Sequence, residues 1–188
     1  MDAIAALERV PADRIVAPSS SCAITIADDY VRLLADDPDW AARARTLSAR
    51  MQPFTKIVHE LADGCDTRGR PLGIRATYHD ACQSENVLGI HDEPRALLRK
   101  IAGVELVEMT DSFVCCGFGG TFSFEYPEVA TFVLEKKLAN IAATGADVVI
   151  TDNPGCLTHL KGGLDARSKT TKVRHLAEIL WESLAPPD

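Results

Sequence analysis

Short apolar runs rich in β-branched residues alternate with helix-like segments through most of the chain, and this alternation constrains the fold more than any other feature. The strand-like runs are 74–79, 104–107 and 148–151, and the helix-like segments are 94–101, 127–144 and 173–184. Strands that alternate with helices usually form βαβ units. The pattern therefore predicts an α/β fold, with a mainly parallel sheet and flanking helices.

The N-terminal third shows a sparser form of the same pattern. We predict a helix over 3–8, a strand over 14–17, a helix over 23–35, and a helical segment over 38–61 that breaks or restarts near Pro53. The polar, glycine-containing stretch that follows, 65–71, has the composition of a boundary between two parts of the chain.

An internal repeat links these two parts. The sequence ADRIVAPSSSC (12–22) aligns without a gap on ADVVITDNPGC (146–156), so that Cys22 corresponds to Cys156. Each copy has a strand, a turn of small residues, a cysteine and a potential helix start, which puts the cysteine at the edge where α/β sheets bind ligands. We expect two related halves: an incomplete first repeat over 1–66, whose front is missing from this chain, and a complete second repeat over 67–188.

Composition and charge exclude several classes of protein. The 188 residues are 46% hydrophobic and 25% charged, which excludes a disordered chain. The net charge of −7 argues against a nucleic-acid partner. No apolar run approaches the roughly 18 residues of a membrane span, and the N-terminus lacks the features of a signal peptide. We expect a soluble, cytoplasmic protein.

Cysteine is the residue type that points to chemistry. Six cysteines without an export signal favour metal binding or redox chemistry over a disulfide framework. Four of them follow predicted strands beside helix starts: Cys82, Cys115, Cys116 and Cys156. Helix N-termini favour the thiolate form, and thiolates select iron–sulfur clusters or zinc. The glycines of 117–120 would let the backbone approach a bulky inorganic group closely. That segment lacks the spacing of a dinucleotide-binding loop, so we predict no nucleotide site.

Three motifs carry a family resemblance: YHDAC (78–82), CCGFGGTFS (115–123) and NPGCL (153–157). They resemble the cysteine-rich CCG domain found in heterodisulfide reductase, in the glycolate oxidase iron–sulfur subunit and in the lactate-utilisation group. PSSSC (18–22) is similar to a segment of the last group. The resemblance implies an iron–sulfur electron-transfer subunit of an L-lactate-oxidising complex, with the other subunits of that complex as partners.

The resemblance also assigns ligands, which are Cys82, Cys115, Cys116 and Cys156 in the second repeat. Cys22 matches the last ligand of the first repeat, but no partner cysteines accompany it, so we expect one centre. Asn153 stands where the family motif has another cysteine. Four thiolates suffice for a 4Fe–4S cluster or a tetrahedral zinc site. Two alternatives stay open: a structural zinc domain, and a cluster-free scaffold that binds partner subunits.

Several neighbouring residues have weaker signals. His79 and Asp80 either tune a cluster through hydrogen bonds or are a strand-end histidine and a helix-capping aspartate. We expect His159 and Cys65 to be ordinary packed or exposed residues. The aromatic residues around the double cysteine are expected to form a hydrophobic wall, and they are Phe113, Phe118, Phe122, Phe124 and Tyr126.

Overall fold

The computed structural model describes residues 2–62 and 69–184. Cys65 and the predicted boundary between residues 66 and 67 lie outside the described residues. The strands are β1 (Ile15–Ala17), β2 (Met51–Pro53), β3 (Ile74–Tyr78), β4 (Val104–Leu106), β5 (Val148–Thr151) and β6 (Lys172–His175). The helices are α1 (Asp2–Glu8), α2 (Ser20–Ile24), α3 (Tyr30–Leu33), α4 (Ala41–Arg50), α5 (Phe54–Ala62), α6 (Cys82–Asn86), α7 (Asp92–Lys100), α8 (Phe122–Glu125), α9 (Pro127–Thr144), α10 (Pro154–Asp165) and α11 (Leu176–Leu184), and a π-helical turn (Thr25–Asp29) joins α2 to α3.

Four strands form a parallel sheet in the order β4-β3-β5-β6. Ala76 of β3 lies opposite Leu106 on one side and Val148 on the other. The two central strands are buried on both faces, since helices cover the sheet from both sides. This arrangement confirms the predicted α/β fold with a mainly parallel sheet.

Alternate residues of the central strands separate the core into two layers. Val148 and Ile150 face a layer that includes residues of α5, α7 and α11. Val149 faces the opposite layer, where residues of α9 and α10 pack. Cys116 and Cys156 belong to this second layer, so the metal-ligand candidates begin inside the hydrophobic core.

The N-terminal part, the first unit (residues 2–62), has its own two-stranded parallel sheet. Ile15 of β1 lies opposite Met51 of β2, and a small core forms around Ile4, Ala44 and Leu47. The prediction of helix over 38–61 was wrong at β2, although the restart near Pro53 was correct. The strand is only three residues long and depends on pairing with β1, so no local pattern announces it.

The C-terminal segment of the second unit (residues 69–184) also differs from its prediction. The expected helix over 173–184 is strand β6 followed by α11. Glu178 accepts a hydrogen bond from the backbone N–H of His175 at 2.8 Å and so caps the new helix. Because β6 is an edge strand with one fully buried residue, its hydrophobic pattern is weak.

Helix α9 coincides with the predicted segment 127–144. Pro127 occupies its first turn, and the helix ends at Gly145 with φ of +61°, a conformation that glycine adopts without strain. In the part of the chain that the structure describes, no helix combines the length and the hydropathy of a bilayer crossing.

The two repeat segments have the same local structure. β1 is followed by Ser19 in an extended conformation and by α2 from Ser20. β5 is followed by Asn153, also extended, and by α10 from Pro154. In the ungapped alignment Ser19 corresponds to Asn153 and Ser20 to Pro154, so both helices begin at equivalent positions.

The carboxyl ends of the two sheets face each other. Asn153 Nδ2 donates a hydrogen bond to Ser20 Oγ at 2.7 Å. The buried Asp152 carboxylate accepts hydrogen bonds from Thr55 at 3.1 Å and from Ser84 at 2.8 Å. The strand ends of the first unit therefore pack against the predicted ligand loops of the second.

Candidate metal centre

The structure brings the four predicted ligands of the second unit together at the carboxyl edge of its sheet. We call them the cysteine quartet: Cys82, Cys115, Cys116 and Cys156. Cys82 is the first residue of α6, and Cys156 lies in the first turn of α10. The double cysteine does not follow a strand directly, because a loop of eight residues separates it from the end of β4. That loop returns to the sheet edge and places the two thiols beside the others.

The four thiols form a connected series. In the order Cys82, Cys115, Cys116, Cys156, each thiol lies close enough to the next to shift its pKa. Burial differs between the members, since Cys82 is half-buried while Cys116 and Cys156 are 2% and 7% exposed. Cys115 is the exposed member. All four are free thiols, which leaves each sulfur available to a metal.

His79 joins the buried end of this series. It follows β3, and one ligand atom each from His79, Cys116 and Cys156 lie within 4.8 Å of one another. The imidazole is fully buried, and neither ring nitrogen has a hydrogen-bond partner. The arrangement offers a metal a nitrogen donor in addition to sulfur.

The charge states of the thiols alternate along the series. Hydrogen bonding with Cys116 lowers the pKa of Cys156 to about 6 against the opposing effect of burial. Hydrogen bonds from Cys116 and Cys82 hold the pKa of Cys115 well below its usual range, and the Gly117 N–H donates to the same sulfur at 3.3 Å. The pKa values of Cys82 and Cys116 are raised because their thiols donate to Cys115. Two members of the quartet are therefore held as thiolates, the form that binds metals.

A cavity of about 410 Å³ opens beside the quartet. Its other walls include Gly119, Gly120, Gly155 and Phe118 of the second unit and Ser21 of the first. Its volume lies in the range of about 300–1,000 Å³ that is usual for small-ligand sites. The thiols thus border a space larger than a single ion requires, at the contact between the two units.

Asp80 secures the loop that carries the double cysteine. Its carboxylate is fully buried and accepts two hydrogen bonds of 2.8 Å from the Arg95 guanidinium. Its backbone N–H donates to the Ser112 carbonyl at 3.2 Å. Burial would raise the pKa of Asp80, but hydrogen bonds from Arg95 and Ser112 outweigh it and the pKa is lowered. Asp80 does not cap α6, whose N-cap is Ala81.

Lys137 secures the same loop from the opposite side. Its ammonium group is buried beneath α9 and donates hydrogen bonds to the carbonyls of Asp111 at 2.8 Å and Ser112 at 3.0 Å. Burial lowers its pKa to about 8. The sequence signal for this residue is its helical spacing, which puts Lys137 at a core position of α9 with Leu134 and Leu138.

The glycine-rich segment plays a different structural role from the one expected. Gly117 has φ of +92°, and a Cβ there would lie 2.5 Å from the Ala130 carbonyl oxygen of α9. The close approach that requires glycine is therefore to a helix rather than to an inorganic group. Gly119 and Gly120, also at positive φ, line the cavity, where their lack of side chains leaves room for a bulky group.

The aromatic residues do not form the expected wall. Phe113, Phe124 and Tyr126 are 55%, 82% and 56% exposed. Phe118 alone among the five lines the cavity, and its ring lies 5.9 Å from that of His159. His159 is half-buried against this ring, as expected for a packed histidine, and burial lowers its pKa.

Two positions that the sequence singled out, Cys22 and Asn153, stand outside the quartet. Cys22 lies in the first turn of α2 and is exposed. Asn153, which replaces a cysteine of the family motif, is the N-cap of α10. Its Oδ1 accepts hydrogen bonds from the backbone N–H groups of Gly155 at 3.0 Å and Cys156 at 3.4 Å. An asparagine here thus stabilises the helix start that positions Cys156.

Comparison with known proteins agrees with this geometry. Residues 76–161 match the cysteine-rich domain CCG, a range that includes the quartet and His79. Lactate utilization protein A of Bacillus velezensis is 37% identical over 177 residues, 94% of this chain and 73% of the relative. The chain belongs to the lactate utilization protein A family. Lactate utilization protein A of Shouchella clausii is 37% identical over 90% of this chain and 70% of its own. The uncharacterized protein YkgE of Escherichia coli is 38% identical over 94% of this chain and 73% of its own length.

Membership of the lactate utilization protein A family explains which cysteines the structure groups. All four members of the quartet lie inside the matched CCG range, whereas Cys22 lies outside it. Asp80, Arg95 and Lys137, which secure the double-cysteine loop, also lie inside that range.

Proposed function

We propose that the chain is a cytoplasmic iron–sulfur electron-transfer subunit of a complex that oxidises L-lactate. In this proposal the quartet binds one 4Fe–4S cluster. The observation that carries it is the position of four free thiols at the wall of a cavity of about 410 Å³. A polynuclear cluster needs such a space, whereas a structural zinc ion is enclosed by its four ligands.

Different thiols would bind the cluster from its buried side and from its exposed side. Cys116 and Cys156 would bind it from the core, where water is excluded, and Cys115 from the exposed side. When bound, a cluster of this type accepts and releases one electron at a potential set by burial and hydrogen bonds. Asp80 and Lys137 fix the double-cysteine loop on both sides, so the ligands are oriented before the cluster binds.

The link to lactate comes from the names of the relatives. Several of them are lactate utilization proteins A, so we propose that the electrons originate from L-lactate and that the partners are the other subunits of the oxidising complex. We also retain the division into a partial first repeat (1–66) and a complete second repeat (67–188). The matching strand–turn–helix units after β1 and β5 support it.

A mononuclear zinc site is the second candidate. It is favoured by the short separation of the ligand atoms of His79, Cys116 and Cys156, all within 4.8 Å. Such a compact mixed set is typical of structural zinc, which has no redox role.

Metal content of anaerobically purified protein separates the two candidates. We expect about four irons and four acid-labile sulfides per chain. About one zinc per chain without sulfide would overturn the iron–sulfur proposal.

The substrate is tested in an anaerobic extract of the native host. Addition of L-lactate should reduce the cluster, detected by electron paramagnetic resonance (EPR), and acetate should not. Reduction by dithionite but not by L-lactate would overturn the lactate assignment and leave the cluster in place.

A further inference from the structure

We propose that His79 is a ligand of the metal group that the cysteine quartet binds, so that the centre has mixed sulfur and nitrogen ligation. This inference rests on the proposed function, because the ligand is detected on the cluster itself. A 4Fe–4S cluster takes four terminal ligands, so His79, whose role the sequence left open, would occupy one of these positions in place of one thiol of the quartet.

The backbone at the end of β3 fixes the position of His79. Its N–H donates to the carbonyl of Ile150 in the neighbouring strand β5 at 2.9 Å. The chain continues from β5 through Asn153 to Cys156. His79 and Cys156 therefore sit at the ends of two hydrogen-bonded strands, and the sheet itself sets their separation.

Burial gives the side chain few other roles. The imidazole has no solvent exposure, and neither ring nitrogen makes a well-formed hydrogen bond, although the ring lies close enough to the Cys156 thiol to lower its pKa. Among the described residues, it is the one side chain with two unpaired buried polar atoms. A buried nitrogen without a hydrogen bond destabilises the fold unless something else satisfies it. A metal bound by the adjacent Cys116 and Cys156 would do so.

The nearest alternative donor is already engaged. Asn153 Oδ1 accepts from two backbone N–H groups of α10, and its Nδ2 donates to Ser20. Neutral imidazole is a common ligand of zinc and iron, including the iron–sulfur centres that combine histidine with cysteine. The buried end of the series thus has a free nitrogen donor in place of a further thiol.

The experiment is pulsed EPR on the reduced cluster after anaerobic reconstitution with iron and sulfide. Wild-type protein is compared with His79→Ala and with His159→Ala, a matched control whose ring packs against Phe118. We expect a strong ¹⁴N coupling in wild type that changes when the histidines carry ¹⁵N. The coupling should persist in His159→Ala and be lost in His79→Ala.

Two results would overturn the inference while leaving the proposed function intact. One is a normal iron and sulfide content without strong nitrogen coupling, and the other is a coupling lost only in His159→Ala. If His79→Ala does not fold, His79→Gln and the ¹⁵N-labelled His159→Ala protein give the same test.

Failure of the proposed function has a different signature. Zinc without sulfide would overturn the electron-transfer role, and the ligand is then examined by X-ray absorption at the zinc edge. Imidazole scattering that disappears in His79→Ala would support the inference, and its absence from wild type would overturn it.

Discussion

The two repeat segments share a backbone but differ in everything around the cysteine. Cys22 and Cys156 occupy equivalent first-turn positions after equivalent strands, yet Cys22 is exposed and Cys156 is buried among other thiols. The Ser19 side chain makes no capping hydrogen bond to the backbone of α2, whereas Asn153 caps α10. The difference shows that a cysteine at a strand end becomes a ligand candidate only when a second loop brings partners to it.

That second loop distinguishes the second unit. The buried Asp80–Arg95 ion pair and the buried Lys137 hold it against the sheet edge. In the described residues of the first unit, the long-range ion pairs Arg43–Glu8 and Arg14–Glu60 lie at the surface instead. Substitutions in the two units should therefore differ in their effects on metal binding and on stability.

Replacement of the two equivalent cysteines should affect the iron content of the protein differently. We expect Cys156→Ser to lower the iron content of reconstituted protein at least about tenfold, since even residues that support metal ligands have effects of that size. Cys22→Ser should bind as much iron as wild type. Iron and sulfide analysis of both variants measures the difference, and equal losses would show that Cys22 is also a ligand.

Loss of Arg95 should strongly destabilise the second unit. Arg95→Met leaves the buried Asp80 carboxylate without its positively charged partner, which costs about 3–5 kcal/mol in the free energy of unfolding. Because the pKa of Asp80 is lowered in the folded state, the pair stabilises the protein above the ordinary Asp value of 3.8 and ceases to do so as the pH falls through the folded pKa.

Urea unfolding at neutral and acidic pH tests this prediction. The difference in the free energy of unfolding between wild type and Arg95→Met should narrow below pH 3.8. Glu8→Gln, which breaks an exposed ion pair of the first unit, serves as the control and should leave stability unchanged. A gap that is independent of pH would contradict the role of the Asp80 charge.

Two glycines of the double-cysteine loop should respond differently to alanine. Gly117→Ala combines an unfavourable φ with a Cβ 2.5 Å from the Ala130 carbonyl oxygen. We expect it to cost about 3 kcal/mol. Gly120→Ala also has a positive φ but meets open space, so we expect about 1 kcal/mol. Thermal unfolding measures the stability of both variants. Equal losses of stability would mean that the close approach of Gly117 to α9 does not determine the cost of the substitution.

Lys137→Met should have a moderate effect on stability, and one that depends on pH. Two buried carbonyls lose their donor, which costs about 1–3 kcal/mol at neutral pH. The folded pKa of Lys137 is about 8, below its ordinary value of 10.5, so the unfolded chain binds more protons between these values. The free energy of unfolding of the wild type therefore rises with pH through this range, and its difference from that of Lys137→Met should widen. Urea unfolding at pH values across that range measures it, and a narrowing gap would contradict the lowered pKa.

Sequence patterns predicted the elements whose own residues carry a strong signal. The β-branched run of β5 and the helical spacing of α9 gave their bounds correctly. β2 and β6 were missed because short edge strands form through pairing with a distant partner rather than through local preference. The repeat was visible in sequence because both copies keep the same strand, turn and helix start.

The site was predictable only in part for a related reason. The quartet could be found because cysteine is rare and its motifs are specific. Arg95, Lys137 and the exposure of Phe124 depend on how α7, α8 and α9 pack, and no single segment encodes that. The significance of Asp80 likewise emerges only with Arg95 opposite it.

The exposure of Cys115 has a consequence for the protein whenever its metal is absent. Oxidation of cysteine follows thiolate character and accessibility, and Cys115 is the member of the quartet that combines an exposed sulfur with a strongly lowered pKa. Peroxide would therefore attack the quartet first at this residue, and oxidation beyond the sulfenic acid would remove one ligand irreversibly. A metal group bound by the quartet would shield this sulfur from oxidation.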